Sequence, residues 1–221
     1  MTSSPTGPAR RVRNPRGGGA ALGQQIVATC LDVIDHTGVQ GLTLRGLART
    51  IGVSAPAIYA HFADIDAILL AVAERAFADL ADQLSAASRA TTSPPVRLRA
   101  VCQAYLDYAE HRPGRYQVMF GGQWDATSAL GRGTVERQVV DDLGRDVLAA
   151  FVDAIPAGAH TTTEHGPTPT LDAVTTWVFL HGYAHQRLVS RAFPWPPGMT
   201  EHVLDIVTCP FAERRPTGFA V

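Results

Sequence analysis

The sequence predicts an all-α fold, with an N-terminal three-helix unit that contains a helix-turn-helix and a larger helical body after it. Three observations predict this. Apolar residues recur at helical spacing along most of the 221-residue chain. No segment alternates apolar and polar residues between hairpin-type turn residues. Glycine, proline, serine and threonine fall where helices of ordinary length would start and stop.

The first helix is expected over about Ala20 to Thr37, with Ile26, Cys30, Val33 and Ile34 on one face and Gly38 ending it. Thr43 can cap a second helix over Leu44 to Ile51, which Gly52 stops. Ser54 can cap a third, Ala55 to Phe62, in which Pro56 is tolerated because the first turn has no use for its N–H. Asp64 opens a fourth helix reaching about Ser88. "SRATTSPP" (88–95) then breaks the chain. Beyond it, helices are expected over Val96 to Glu110, Tyr116 to Phe120, Thr134 to Ile155, Leu171 to Arg191 and Thr200 to Thr208. The division is therefore a basic arm expected to be disordered (1–19), a first unit (20–88) and a second (96–210).

Composition bounds the function. The formal net charge is only −1, but residues 1–62 hold six arginines against Asp32 and Asp35, a net +4, and the rest of the chain is acidic. Four of those arginines sit in "RRVRNPR" (10–16). A basic arm ahead of an acidic body suits contact with a polyanion at one end; a solubilising tail is the plainer alternative. No apolar run approaches the ~18 residues of a membrane span, and nothing near the N-terminus reads as a secretory signal. Cys30, Cys102 and Cys209 lack metal-site spacing, so a cytoplasmic protein with reduced thiols is expected. Nucleophile elbow, phosphate-binding glycine loop and HExxH are all absent, so no enzyme and no cofactor are expected.

The stretch "GVSAPAIYAHF" (52–62) carries the chemistry. In a helix-turn-helix the second helix enters the major groove N-terminus first. Ala55, Pro56 and Ala57 are small enough for close approach, and an alanine methyl can meet a thymine methyl. Tyr59 and His61 can reach phosphate oxygens, as can Thr43 at the start of the second helix; Arg45 can reach phosphate or a guanine edge, while Ser54 stands at the turn. Arg11, Arg13 and Arg16 would add phosphate contacts from the arm.

"IVATCLDVIDHTGVQGLTLRGLARTIGVSAPAIYAHFADIDAILLAV" (26–72) resembles the DNA-binding domain of the TetR family of bacterial transcriptional regulators. The resemblance implies a homodimer on double-stranded operator DNA, usually a repressor, whose C-terminal domain binds a small-molecule effector and dimerises. Two positions depart from the family pattern. Gly46 stands where an acidic residue is common, and Ile65 where a lysine usually is, removing a phosphate contact. Residues 20–70 carry Arg45 and Arg49 against four acids, so the arm is expected to hold an unusual share of DNA affinity. A helical dimer that has lost DNA binding is the alternative.

In the second unit Val135, Val139, Val140, Leu143, Val147, Phe151 and Ile155 span a wide apolar arc, and Trp177, Leu180, His181, Ala184 and Leu188 form another stripe. The two helices are expected to build half of an intermolecular four-helix bundle; the alternative is two core helices of a monomer. "WVFLHG" (177–182) resembles the Trp–His–Gly signature of one C-terminal subclass of these regulators. His181 and His185 lie one turn apart without an evident third ligand, so no metal is expected. Cys102, Tyr105, Tyr108, Met119, Phe120, Trp124, Phe151, Trp177 and His181 are the candidate lining of an effector cavity.

Overall fold

The computed structural model describes residues 18–121, 124–156, 162–163 and 166–212. The expected arm, with Arg11, Arg13 and Arg16, lies outside the described residues except for its last two positions, which are already helical.

Helix α1 (Gly18–Thr37) ends at Gly38, and a short 3-10 turn (Val39–Gly41) leads to α2 (Leu44–Ile51). Helices α3 (Ala55–Tyr59) and α4 (Ile65–Arg89) follow. Helix α3 is shorter than expected: it closes at Ala60, and the N–H groups of His61 and Phe62 turn back onto the Ile58 carbonyl. Pro94 and Pro95 open α5 (Pro94–His111), two residues earlier than expected, because proline fits a first turn. Then come α6 (Pro113–Phe120) and α7 (Ala126–Gly131). Helix α7 is an addition to the expected elements, and Asp125 caps it by accepting from the Thr127 and Ser128 N–H groups at 3.0 Å each.

The expected single helix from Thr134 to Ile155 is two helices, α8 (Arg137–Asp142) and α9 (Arg145–Ala154). Gly144 separates them at φ 77°, a left-handed conformation that a helix cannot continue through. A two-residue antiparallel pairing, β1 (Thr162–Thr163) with β2 (Gly166–Pro167), precedes the long α10 (Pro169–Val189), and α11 (Met199–Ala212) completes the chain.

Two hydrophobic cores result. The first gathers Ile26, Cys30 and Ile34 of α1, Leu47 of α2, Ile58 of α3, and Ile68 and Val72 of α4. The second gathers Leu80 and Leu84 of α4, Leu98, Val101 and Tyr105 of α5, Phe151 of α9, Leu180 of α10 and Leu204 of α11. Packing therefore changes core within α4, not at 88–95, and Val118, Trp124 and Ala129 from beyond that break belong to the first core. The wide apolar arc has the same origin. Val135, Val139 and Leu143 pack on the first core, and Val147, Ala150 and Phe151 on the second. That segment thus serves two cores of its own chain, with Val135, Val139, Val140 and Leu143 left half-buried. The Leu180 and Ala184 stripe of α10 likewise faces inward. The exposed large apolar residues of α10 are Leu171, Val178, Phe179 and Val189 instead, with Ile206 on α11.

Candidate nucleic-acid interface and ligand cavity

The turn of the helix-turn-helix is fixed at both ends. Thr43 Oγ1 accepts from the Gly46 N–H at 3.1 Å and so starts α2. Gly52, at φ 80°, ends it, with the Gly52 and Val53 N–H groups both reaching the Ala48 carbonyl. Ile58 is 1% exposed and pins α3 to the first core. The opposite side of α3 is open: Pro56 and His61 are exposed, Tyr59 is 53% exposed, and Ala55 and Ala57 are half-buried. Thr43, Arg45 and Ser54 are exposed beside them. The Ser54 side chain makes no capping bond, so its hydroxyl is available to an outside acceptor. Ile65 packs against the first core, so this position serves the fold where a lysine would reach outward.

In the second core four polar ring atoms converge. Tyr116 Oη lies 2.8 Å from His181 Nδ1, Tyr105 Oη lies 3.2 Å from the same nitrogen, and Trp177 Nε1 donates to Tyr105 Oη at 3.2 Å. Burial, helped by neighbouring His185, holds the His181 pKa below its ordinary value, which favours the neutral ring. In the tautomer with Nδ1 unprotonated, Tyr116 donates to it. Burial also pushes the Tyr116 hydroxyl up to about 12 and the Tyr105 hydroxyl higher still, so both remain donors.

The nine candidate lining residues separate into three groups. Cys102, Tyr105, Tyr108 and Phe151 are packed into the core: Cys102, Tyr105 and Phe151 are fully buried, and Tyr108 donates to the Ala76 carbonyl at 3.0 Å. Met119, Phe120 and Trp124 do line a cavity of about 330 Å³, together with Phe77, Val140 and Leu143. Trp177 and His181 stand behind it, their ring centroids 6.0 and 4.8 Å from that of Phe120. Among the described residues no group of three His, Cys, Asp or Glu side chains is placed to hold a metal ion. No described helix is long and apolar enough to cross a membrane.

Residues 26–72 match the family profile described as bacterial regulatory proteins, tetR family, and residues 98–208 match that of the tetracyclin repressor-like C-terminal domain. The chain belongs to the TetR family. A curated relative, the HTH-type transcriptional activator FasR of Mycolicibacterium smegmatis, is 33% identical over 98 residues, 44% of each chain. The chain spans about half the length of the curated relatives it matches. A solved structure of a Rhodococcus sp. RHA1 protein of unknown function is 25% identical, with a TM-score of 0.66 over 86% of this chain and 93% of that one. FadR of Bacillus subtilis in complex with stearoyl-CoA shares the fold at a TM-score of 0.63 and 13% identity, over 84% of this chain and 97% of that one.

This TetR-family chain has one connection that the sequence did not announce. Arg115 of α6 donates to Asp35 of α1 at 2.7 Å and to Asp79 of α4 at 2.7 Å, and Arg112 donates to Asp35 at 3.0 Å. Beside them Gly114 lies so near α1 that an added Cβ would stand 2.4 Å from the Ile34 carbonyl oxygen. Helix α6 thus clasps the helix-turn-helix unit at one end, while its Phe120 faces the cavity at the other. Charge pairs 77 and 80 residues apart leave no local pattern, so only the fold reveals them.

Proposed function

We propose that the protein is a sequence-specific, DNA-binding transcriptional regulator that acts as a homodimer on operator DNA and responds to a small-molecule effector. The observation that carries this reading is the exposed face of α3: small residues at its N-terminus and Tyr59 and His61 beyond, held by a buried Ile58 behind a capped turn. Such a helix can enter a major groove, with Thr43 and Arg45 reaching phosphate oxygens. The basic arm, residues 1–19, adds non-specific phosphate attraction ahead of the DNA-binding domain (20–88), and residues 96–210 form the effector-binding and dimerisation domain. Leu171, Val178, Phe179, Val189 and Ile206 supply the apolar face on which a second copy would sit. The cavity beside Met119, Phe120 and Trp124 is the effector site in this reading, because it sets apolar side chains beside the polar Asp125 and Thr127 and adjoins the helix that clasps α1. Family membership and the want of a catalytic motif favour a regulator over an enzyme, and the reading places it in the cytoplasm. Repression is the simplest mode, since a bound dimer blocks a promoter without further contacts; the similarity to FasR, named an activator, keeps activation as the second reading.

The test is fluorescence anisotropy of the purified protein with DNA from upstream of its own gene, across a salt series and against an unrelated fragment. The reading expects preference for the upstream fragment and a steep loss of affinity with salt. If a genome-wide selection of bound fragments also yields no preferred sequence, the chain is a helical dimer without DNA recognition.

A further inference from the structure

A second cavity, of about 320 Å³, lies between the C-terminal ends of α5 and α10 and the start of α11. It is separate from the effector cavity, with no lining residue in common. Its lining combines the aliphatic Leu106 and Leu188 with Arg187, Arg191 and Glu110, and Gln103, Tyr183 and Thr200 add polar atoms. Two guanidinium groups against one carboxylate leave a positive surplus at a pocket that is partly apolar.

Neither arginine is fully engaged. Arg187 stands 3.9 Å from Glu110, beyond hydrogen-bond reach, and its guanidinium lies 5.7 Å from the Trp195 ring centroid. Among the described residues its guanidinium makes no hydrogen bond. Arg191 donates through Nε to the Leu188 carbonyl at 3.3 Å, which leaves its terminal nitrogens free. Glu110 has a side chain 66% exposed, so it can turn to water when a better partner for Arg187 arrives. At about 100° per residue, Arg187 lies on the side of α10 away from Val178 and Val189 and about 80° round from Phe179.

We propose that this cavity binds a small organic anion, a carboxylate on an aliphatic or aromatic body. The carboxylate is held by Arg187 and Arg191 and the body by Leu106 and Leu188. Guanidinium forks match carboxylate oxygens in shape and charge, and the Leu106 and Leu188 side chains offer contact to an organic body that a bare inorganic ion lacks. The bound anion replaces Glu110 as the partner of Arg187. Because Glu110 is close to the α5–α6 corner that holds Asp35, the site stands next to the clasp on α1.

Isothermal titration of the full chain with octanoate, octan-1-ol and octylammonium tests this without DNA. The expected result is saturable binding of octanoate alone. Arg187→Gln and Arg191→Gln should each weaken it by about tenfold or more. Glu110→Gln should tighten it several-fold by removing the competing carboxylate, a gain that a misfolded variant would not give. Met119→Ala, on the other cavity, should leave it unchanged. Equal binding of octanol, no binding of octanoate into the millimolar range, or insensitivity to both arginine variants would each overturn the proposal.

Discussion

Replacing Gly114 by alanine puts the clasp between α6 and α1 under direct strain. The added Cβ would stand 2.4 Å from the Ile34 carbonyl oxygen and 3.0 Å from both the Ile34 carbonyl carbon and its Cγ2. A carbon meets a carbonyl oxygen comfortably at about 3.3 Å or more, so α6 must retreat by about 1 Å. That carbonyl cannot swing aside freely, because it accepts the Gly38 N–H that ends α1. The same retreat would stretch the Arg115–Asp35 bonds, now 2.7 to 3.1 Å, out of hydrogen-bond range. Overpacking costs about 1–3 kcal/mol, and losing charge-assisted bonds at a largely buried Arg115 adds about 1–2 kcal/mol. The expected loss is therefore about 2–5 kcal/mol in urea unfolding, with a fall in melting temperature of several degrees. Gly131→Ala is the matched control, because a Cβ there meets nothing within 4 Å. It should lie within about 0.5 kcal/mol of the parent. A Gly114→Ala midpoint indistinguishable from that control would refute the close-approach argument.

Tyr59→Phe and Arg45→Ala should each weaken operator binding by about three- to tenfold in anisotropy while leaving the melting temperature in place, since both side chains are exposed. Deleting residues 1–17 removes four arginines and should reduce the slope of log affinity against log salt by up to about 3–4; an unchanged slope would remove the arm from the interface. Ile58→Ala should cost about 2–4 kcal/mol in urea unfolding by opening a void beneath α3. Stability should also fall with pH because of His181, whose folded pKa lies below its ordinary 6.5. The unfolded chain takes up the proton first, so this contribution is complete above about 6.5 and declines as pH falls through that value. His181→Gln should flatten the decline between pH 7 and 5.5 in denaturant titrations.

The N-terminal unit was legible because its signals are local. Thr43, Gly52 and Asp64 sit at the helix ends that their own chemistry dictates, and the cap bonds of Thr43 and Asp64 form as expected. The end of α3 was less so, because Ile58 and Phe62 keep helical spacing past the point where the helix stops. The break at Gly144 was hidden for a related reason: the apolar positions of α8 and α9 keep one period while serving two cores. A sequence pattern reports that a face is buried, not against what. The candidate lining residues show the same limit. Tyr105 and Met119 carry equal promise as apolar residues in an aromatic stretch, yet one closes the core and the other borders a cavity.

Helix α4 has a thermodynamic consequence that the two cores, taken singly, would hide. Its first half is sealed by Ile68 and Val72 among α1, α2 and α3, and its second by Leu80 and Leu84 beneath α5. Val118, Trp124 and Ala129 return from the second unit to complete the first core. Melting either core would fray the helix on which the other depends, so the described chain should unfold as one cooperative block and not as two domains in sequence. Destabilising the second core would then also expose amides of α1 to hydrogen exchange. A substitution far from the proposed DNA-facing surface would thus lower the population of binding-competent molecules without altering a single contact at that surface.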